Sequence, residues 1–314
     1  MVQSLWRSLS HWRGRSDSPN RGACMMVNPL VSVIVPTKNS STTLDACLNS
    51  IRDQTYSPIE LIVVDNHSSD ATLVIAKRFT DMVFVNGPER SAQRNYGAQR
   101  ATGDYLLMVD SDMELSRKVV EGCMAEFLCD PEVGGVIIPE ESFGVGFWSR
   151  CKRLERSFYI GVPWMEAARS FSKAAYQAAG GYNEALVSGE DWDLSRRIER
   201  VGRIARTNEL IRHNEGDIKL WQTLRKKYYY ASHAKDYLIC NPEKSKLFSQ
   251  VGPLQRYKLF LSKPSILLER PFLGVAMLAM KTAEFTAGGL AYILSGSPQP
   301  TEERRRNHSR RRLG

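Results

Sequence analysis

Two carboxylates stand two residues apart at the end of an apolar run, Tyr105-Leu-Leu-Met-Val-Asp110-Ser-Asp112. Acids so spaced on a turn can both reach a hard divalent cation, which keeps some of its water and completes its shell with substrate phosphate oxygens. The spacing alone decides little, because a second Asp-x-Asp occurs at Asp191-Trp-Asp193. The preceding run favours Asp110 and Asp112: its length and boundaries predict a buried strand, and open α/β sheets bind ligands just beyond the carboxyl ends of such strands. Glu60-Leu-Ile-Val-Val-Asp65 is another strand candidate that ends in an acid. Asp65, Asp110 and Asp112 are therefore expected at one sheet edge, where gathered like charges call for a cation or a donor-rich ligand. Each alone has a simpler reading as a helix cap or loop acid. Arg90, Arg94 and Arg100 lie on the predicted helix leading to that edge and are placed to meet phosphate. No Gly-x-Gly-x-x-Gly follows a strand and no Walker sequence occurs, so carboxylates and a metal are expected to hold any nucleotide.

The elements that must position these groups follow from periodicity and punctuation. Val31-Ser-Val-Ile-Val35 reads as a strand, stopped at Pro36, and an amphipathic helix runs from the cap residues at 39–43 to about Gln54. After the strand ending at Asp65, Ser69 or Asp70 caps a helix to about Thr80, and 82–85 form a short strand. Helix 90–101, the strand into Asp110, a helix near 116–129 and a strand near 133–138 complete the series. Strands alternating with helices of this length predict a doubly wound, mostly parallel sheet in an α/β fold, and the alternation weakens after residue 140. A further strand is expected over Ile204–Ile211, with His213 near its end.

Past residue 215 the pattern turns helical. Trp221, Leu224, Tyr228 and Ala231 or Ser232 recur at helical spacing beside Arg225, Lys226 and Lys227. Such an aromatic stripe is ordinarily core, the alternative being a helix at a membrane interface. Residues 265–295 are apolar but interrupted by Lys281 and Glu284, which share a helical face with Gly274, Met277 and Gly288 and are spaced to pair. Neither half has the ~20 apolar residues that a span requires. A helix packed on protein or half-sunk among headgroups is expected.

The 314 residues suffice for one large domain or two small ones, and the net charge of +9 is concentrated at the ends. Residues 1–24 carry four Arg and one Asp, residues 301–314 six Arg and two Glu, so only +2 remains for the body. That near-neutral body argues against nucleic-acid binding. The arginine-rich ends suggest either attraction to an anionic membrane surface or solvated, disordered tails. Six cysteines (24, 47, 123, 129, 151, 240) form no Cys-x-x-Cys pair or disulfide framework, which fits reduced thiols in the cytoplasm. The first 28 residues have no continuous apolar core of a signal peptide; Trp6 and Trp12 among arginines suggest a short interfacial segment, and Met25 or Met26 an alternative start.

Six segments, in order, resemble the family 2 glycosyltransferases. They are Val31-Ser-Val-Ile-Val-Pro-Thr-Lys-Asn39, Ile62-Val-Val-Asp65 with its Ser-Ser-Asp loop, Arg94-Asn95-Tyr-Gly97, Asp110-Ser-Asp112, Gly180-Gly181-Tyr-Asn-Glu184, and Gly189-Glu-Asp-Trp-Asp-Leu194 followed by Arg196 and Arg197. The resemblance covers about residues 30–215 and implies the GT-A fold and a nucleotide-sugar donor. Pro36, Thr37, Asn39 and Asp65 would hold base and ribose. An Asp65 acceptor for an imide N–H favours a UDP-sugar, although guanine also offers N–H donors. Asp110 would contact ribose or metal, and Asp112 would ligate Mg2+ or Mn2+ bridging the diphosphate. Asp191 matches the general base of an inverting displacement, with Glu190 beside it able to exchange roles. His213 falls where family members often place a metal-binding histidine; a structural role is the alternative. Asp193 is expected as a helix N-terminal acid, Trp192 as a wall of the acceptor pocket, and Gly180 and Gly181 as a close backbone approach to sugar.

The expected organisation is a basic N-terminal segment (1–28), a catalytic domain (29–215), a helical acceptor-side extension (216–300) and an Arg-rich tail (301–314). The expected activity is metal-dependent, inverting sugar transfer to a lipid-linked or envelope-polysaccharide acceptor, peripheral to the cytoplasmic face of a membrane. The alternatives are transfer to a polyprenyl phosphate, nucleotidyl transfer, and non-catalytic binding of a sugar nucleotide.

Overall fold

The computed structural model describes residues 28–232 and 252–294. Strand β1 (Val31–Thr37) is buried along its whole length, which is why it reads as an unbroken apolar run. α1 (Leu44–Arg52) buries Leu44, Cys47, Leu48 and Ile51 at helical spacing. β2 (Ile59–Asp65), α2 (Thr72–Ala76), β3 (Val83–Val85), α3 (Arg90–Arg100) and β4 (Tyr105–Met108) follow in the expected alternation. α2 is shorter than expected, and Asp70 holds its start by accepting from the Thr72 N–H at 3.0 Å. Beyond β4 come β5 (Met113–Leu115), α4 (Val119–Cys129), β6 (Val133–Ile137), β7 (Glu140–Val145) and α5 (Phe147–Ser157). β8 (Ala168–Ser172), α6 (Lys173–Ala178), α7 (Glu190–Ile198), β9 (Arg203–Arg206) and β10 (Ile211–Asp217) complete this region.

Seven strands form one twisted sheet in the order β3-β2-β1-β4-β8-β6-β9, parallel except that β8 runs against both its neighbours. One face packs Val33, Val35, Val63 and Leu107 against α1 and α4; the other packs Ile34, Ile62, Leu106 and Met108 against α3, α6 and α7. Gly97 lets α3 lie close on this second face, because a Cβ there would come within 2.6 Å of Ile34.

Two departures from the expected single sheet shape the site. β5, β10 and β7 make a separate three-stranded sheet, and the strand expected over Ile204–Ile211 is in fact two. β9 stays in the large sheet, the Glu209 N–H bonds the Thr207 hydroxyl at 3.2 Å in a turn, and β10 enters the small sheet. His213 therefore lies within a strand, opposite Met113 of β5, rather than beyond a strand end. The inserted β8 has the composition Ala-Arg-Ser-Phe-Ser, which no hydropathy pattern marks as a strand. Its polar groups are buried with partners, the Ser170 hydroxyl donating to the Leu106 carbonyl at 3.1 Å.

The described C-terminal part is helical: α8 (Leu220–Ser232), α9 (Pro253–Leu261), α10 (Pro264–Leu268) and α11 (Pro271–Leu294). Phe260, Leu273, Met277 and Met280 join Cys151 and Phe158 in an apolar cluster against α5. Lys281 and Glu284 pair at 2.9 Å, as their spacing predicts, and Lys281 also reaches Glu155 of α5 at 2.6 Å. The aromatic stripe of α8 is not core. Its inward face is turned by one residue to Leu220, Leu224, Lys227 and Ala231, leaving Trp221 75 % exposed and Tyr228 at the surface. No described helix is long and apolar enough to cross a membrane. The four described cysteines are unpaired. The expectations for residues 1–27 and for the tail at 301–314 lie outside the described residues.

Candidate active site

The parallel register sets the site. Thr37 pairs with Asp65 across β1 and β2, and the Val109 N–H bonds the Ile34 carbonyl, so the chain ends carrying Asp65 and Asp110 emerge side by side. Gln93 of α3 closes the same edge by donating to the carbonyls of Thr37 at 2.9 Å and Val64 at 2.6 Å. The loops beyond are joined by small polar side chains. Asn39, held at a φ of +48°, accepts from the Ser69 N–H at 2.9 Å, and the hydroxyls of Ser40 and Ser111 lie 2.8 Å apart.

Asp65 lies at the expected edge but is fully buried. Its carboxylate accepts from the Thr37 hydroxyl at 2.8 Å and from the Ser68 hydroxyl and N–H at 2.5 and 2.7 Å. As placed it organises the loop and offers no open acceptor to a nucleobase. Pro36 and Thr37 are buried in β1, while Asn39 and His67 are exposed on the rim.

Arg94, expected to meet phosphate, is also wholly buried. Its guanidinium spans two acids, lying 2.5 Å from Asp110 Oδ1 and 3.0 Å from Asp191 Oδ1, with Glu190 at 3.6 Å. The neighbouring Asn95 grips the Gly180–Glu184 turn: its Oδ1 accepts from the Tyr182 N–H at 2.8 Å and the Tyr176 hydroxyl at 2.7 Å, and its amide donates to the Tyr182 carbonyl at 2.9 Å. Two of the separated sequence segments are thus one physical unit. Gly180 and Gly181 have φ of +80° and +66° because they end α6, and a Cβ on Gly181 would stand 2.8 Å from Asn95 Oδ1. Arg90 of the first turn of α3 binds Glu190 at 2.8 Å. Arg100 is at the other end of that helix, stacked on Tyr96 with its guanidinium carbon 3.3 Å from the ring centre, and cannot serve the edge.

Asp191 lies in the first turn of α7, which Glu190 opens after Gly189, whose φ of +78° admits the turn. Its Oδ1 also accepts from the Tyr182 hydroxyl at 3.1 Å. Burial first, then the Asp191 charge, raise the Tyr182 phenol far above its ordinary range, so it remains a donor. Glu190 is raised as well, by burial and then by Asp191, with Arg90 and Arg94 offsetting part of the rise. Asp193, as expected, is a first-turn acid, paired with Arg197 at 2.7 Å. The Trp192 indole donates to the Met165 carbonyl at 3.2 Å.

Asp110 and Asp112 diverge. Asp110 holds Arg94 through one oxygen and Arg169 of β8 through the other at 3.3 Å. Burial would raise its carboxyl, but Arg94, Arg169 and Arg90 overcome this and hold it far below the carboxylate range. Both oxygens are occupied by arginine, so as placed Asp110 is not presented to a metal. The Asp112 carboxylate is 44 % exposed, and its Oδ2 lies 3.3 Å from His213 Nε2. Burial would lower the His213 imidazole, yet the hydrogen bond and charge of Asp112, with Glu215, raise it.

Among the described residues no three His, Cys, Asp or Glu form a ready-made metal cage. A cation held partly by substrate phosphate needs fewer protein ligands. Asp112 and His213 Nε2 face one another as such a pair, and the buried, unpartnered His213 Nδ1 has Glu140 Oε2 4.0 Å behind it. A carboxylate behind the far nitrogen is the usual support of a metal-bound imidazole. These residues fit a divalent cation.

Sequence reasoning missed Arg169 and Glu140, which meet at 2.5 Å and connect Asp110 to the His213 side of the site. Both fall where the alternation fades, and only a pair of charged residues in otherwise strand-length segments hinted at them. It also gave no role to Tyr182.

Residues 32–175 match the model described as glycosyl transferase family 2. The chain is 35 % identical over 133 residues to a glycosyltransferase, GlyA, of Streptococcus pneumoniae, a match covering 40 % of this chain and 19 % of that protein. It is 29 % identical over 184 residues to a PGL/p-HBAD biosynthesis glycosyltransferase of Mycobacterium bovis, covering 55 % of this chain and 70 % of the relative. Its fold is that of a mannosyltransferase from Pyrobaculum calidifontis solved with GDP-Man and Mn2+: the TM-score is 0.57 at 16 % identity, over 86 % of this chain and 88 % of the other. The matched segment, which holds the first eight strands with Asp65 and the Asp110–Asp112 turn in the geometry above, belongs to glycosyl transferase family 2.

Proposed function

We propose that the protein transfers a sugar from a nucleotide-sugar donor to a hydroxyl of a lipid-linked or envelope-polysaccharide acceptor, with inversion, while peripheral to the cytoplasmic face of a membrane. One observation carries the reading: an open carboxylate, Asp112, and an acid positioned by Arg94 and Tyr182, Asp191, face the same sheet edge through one ionic network. The relatives' printed names, glycosyltransferases in each case, support it.

In this proposal Asp112 and His213 hold Mg2+ or Mn2+. The cation, when bound, supplies Lewis-acid neutralisation of charge on the leaving diphosphate. Arg94 and the Tyr182 hydroxyl engage Asp191 Oδ1, which leaves the other oxygen to receive the acceptor proton. As the acceptor oxygen bonds to the anomeric carbon, its proton passes to Asp191 and the bond from that carbon to the diphosphate oxygen breaks on the opposite face. One such displacement inverts the configuration. Asp110 does not react; it fixes Arg94 between the donor and acceptor sides. A UDP-sugar is the favoured donor on the acceptor chemistry of Asp65, and its use requires the Ser68 loop to uncover that carboxylate.

A thermal-shift screen of UDP- and GDP-sugars with and without Mn2+ tests the reading, because a ligand that binds the native state raises Tm. A shift that needs both sugar nucleotide and metal supports it. No shift with any nucleotide sugar refutes it.

A further inference from the structure

α11 distributes its residues in an unusual way for a surface helix. Its only charged residues, Lys281 and Glu284, point inward and are buried. The outward stripe runs through Phe272, Val275, Ala279, Thr282, Thr286 and Leu290 to Ile293 without a charge. At the helical rise this stripe is about 30 Å long. Phe272 is 90 % exposed, and Leu268, one turn earlier at the end of α10, is also exposed. A soluble helix normally turns its polar face outward, and exposed apolar side chains gathered as Leu268, Phe272 and Val275 are at one end and Leu290 and Ile293 at the other mark an interaction surface.

Two observations identify what covers it. The exposed charged residues of these helices are basic at Arg225, Lys226, Lys258 and Arg270, and acidic at Glu269 alone. Beyond α11 the sequence adds six more arginines against two glutamates. An uncharged strip on helices whose exposed charges are four basic to one acidic repels a second copy of itself and attracts an anionic headgroup layer into which its apolar side chains can sink. The helix cannot roll its charges outward, because Lys281 is bonded at 2.6 Å to Glu155 of α5 and Glu155 in turn to Lys152 at 2.8 Å. No described helix has the length and hydropathy of a span.

We infer that the outward face of α11, with the end of α10 and its basic border, is a docking surface for an anionic bilayer, on which the helix lies in the plane of the headgroups. The inference sharpens the proposed peripheral location and rests on none of the proposed chemistry.

Full-length protein is sedimented with vesicles of phosphatidylcholine alone and of phosphatidylcholine mixed with phosphatidylglycerol, at low and high salt. The expected result is binding to the mixed vesicles that high salt weakens. Phe272→Asp/Val275→Asp should weaken it about tenfold or more by removing the inserted side chains. Lys258→Gln/Arg270→Gln, at exposed positions that leave the fold intact, should weaken it about tenfold at low salt and little at high salt. Calorimetric binding of a nucleoside diphosphate with Mn2+, unchanged in both variants, separates docking from the catalytic reading. Failure of the wild type to sediment with mixed vesicles overturns the inference. So does sedimentation of both variants at the wild-type level, or a wild-type dimer in vesicle-free solution that Phe272→Asp/Val275→Asp makes monomeric, which would assign the face to a second copy.

Discussion

Among the described residues lie two buried ionic networks, and one of these two has the marks of a reaction site. At the sheet edge, Arg90, Arg94, Arg156 and Arg169 stand among Asp110, Glu140, Glu190, Asp191 and Glu215, with His213 leading to the open Asp112. Between α5, α8 and α11, Lys152, Lys227 and Lys281 surround Glu155 and Glu284. Burial and short ion pairs are common to both, so neither feature identifies function. Balance and access do. The edge has more acids than bases and opens a carboxylate, Asp112, to solvent; the helical cluster has more bases than acids and opens only an ammonium, Lys227, while both its acids stay buried. The cation types differ for a physical reason as well. A planar guanidinium can fork between two carboxylates and fix their separation, as Arg94 does, whereas an ammonium gathers partners as a point charge.

The sharpest test of that contrast is at the acid itself. Asp191→Asn should lower turnover by at least ~10²-fold, the usual scale for a general base, while calorimetry shows donor and metal affinity retained. If Glu190→Gln abolishes turnover and Asp191→Asn does not, the two acids exchange roles. Full activity in Asp191→Asn would instead favour an acceptor that is already an anion, such as a polyprenyl phosphate.

Stability should treat the networks alike where activity does not. Arg94→Met and Lys281→Met each take one close cation from two carboxylates, Asp110 and Asp191 or Glu155 and Glu284, and leave them only their remaining partners, which costs up to ~3–5 kcal/mol, read from denaturant unfolding. Adding the second change, Arg94→Met/Asp110→Leu or Lys281→Met/Glu284→Leu, should recover much of the loss, since apolar replacements can match a buried pair. Only the helical double variant should regain turnover. Equal activity in both would erase the distinction drawn here.

Asp112→Ala separates function from stability further. With 44 % of the side chain exposed, its removal should alter stability by no more than about 0.5 kcal/mol. Mn2+-linked binding of a nucleoside diphosphate should disappear in a calorimetric titration. Unchanged metal linkage would remove Asp112 from the site.

The sequence made the first half of the fold legible because buried parallel strands are continuous apolar runs, each ended by a turn. Val31–Thr37, Ile59–Asp65 and the run into Asp110 needed no more than that. It also located the acids, since a carboxylate at the end of such a run has few other places to go. What it could not show is how the acids are paired. Arg94 reads as a surface base on a polar helix, and nothing local says that it is buried between Asp110 and Asp191, far away in sequence. β8 was illegible for the same reason: Arg169 and Ser170 are inside only because distant partners satisfy them. In α8 the stripe was displaced by one residue, since Lys227 turns inward to reach Glu284 and carries Trp221 and Tyr228 outward.

Lys227 provides the smallest test and the one most specific to the helical cluster. It stands at the mouth of the cluster, its Nζ 3.9 Å from Glu284 and its side chain 41 % exposed. Burial, then the charges of Lys152 and Lys281, lower its pKa to about 7 against the pull of Glu284 and Glu155. Between that value and the ordinary lysine range the unfolded chain binds the proton that the folded chain has released, so stability rises with pH across this window. Water screens a side chain this exposed, and the slope should fall well below the ~1.4 kcal/mol per pH unit of one fully transferred proton. Lys227→Gln removes this contribution without removing either acid's principal partner. The difference in Tm between wild type and Lys227→Gln should therefore change steadily from pH ~7 to ~10, in favour of the wild type at the alkaline end. Parallel Tm curves would mean that Lys227 remains charged in the folded protein, and the cluster would then hold three lysines that its two acids and the nearby water accommodate together.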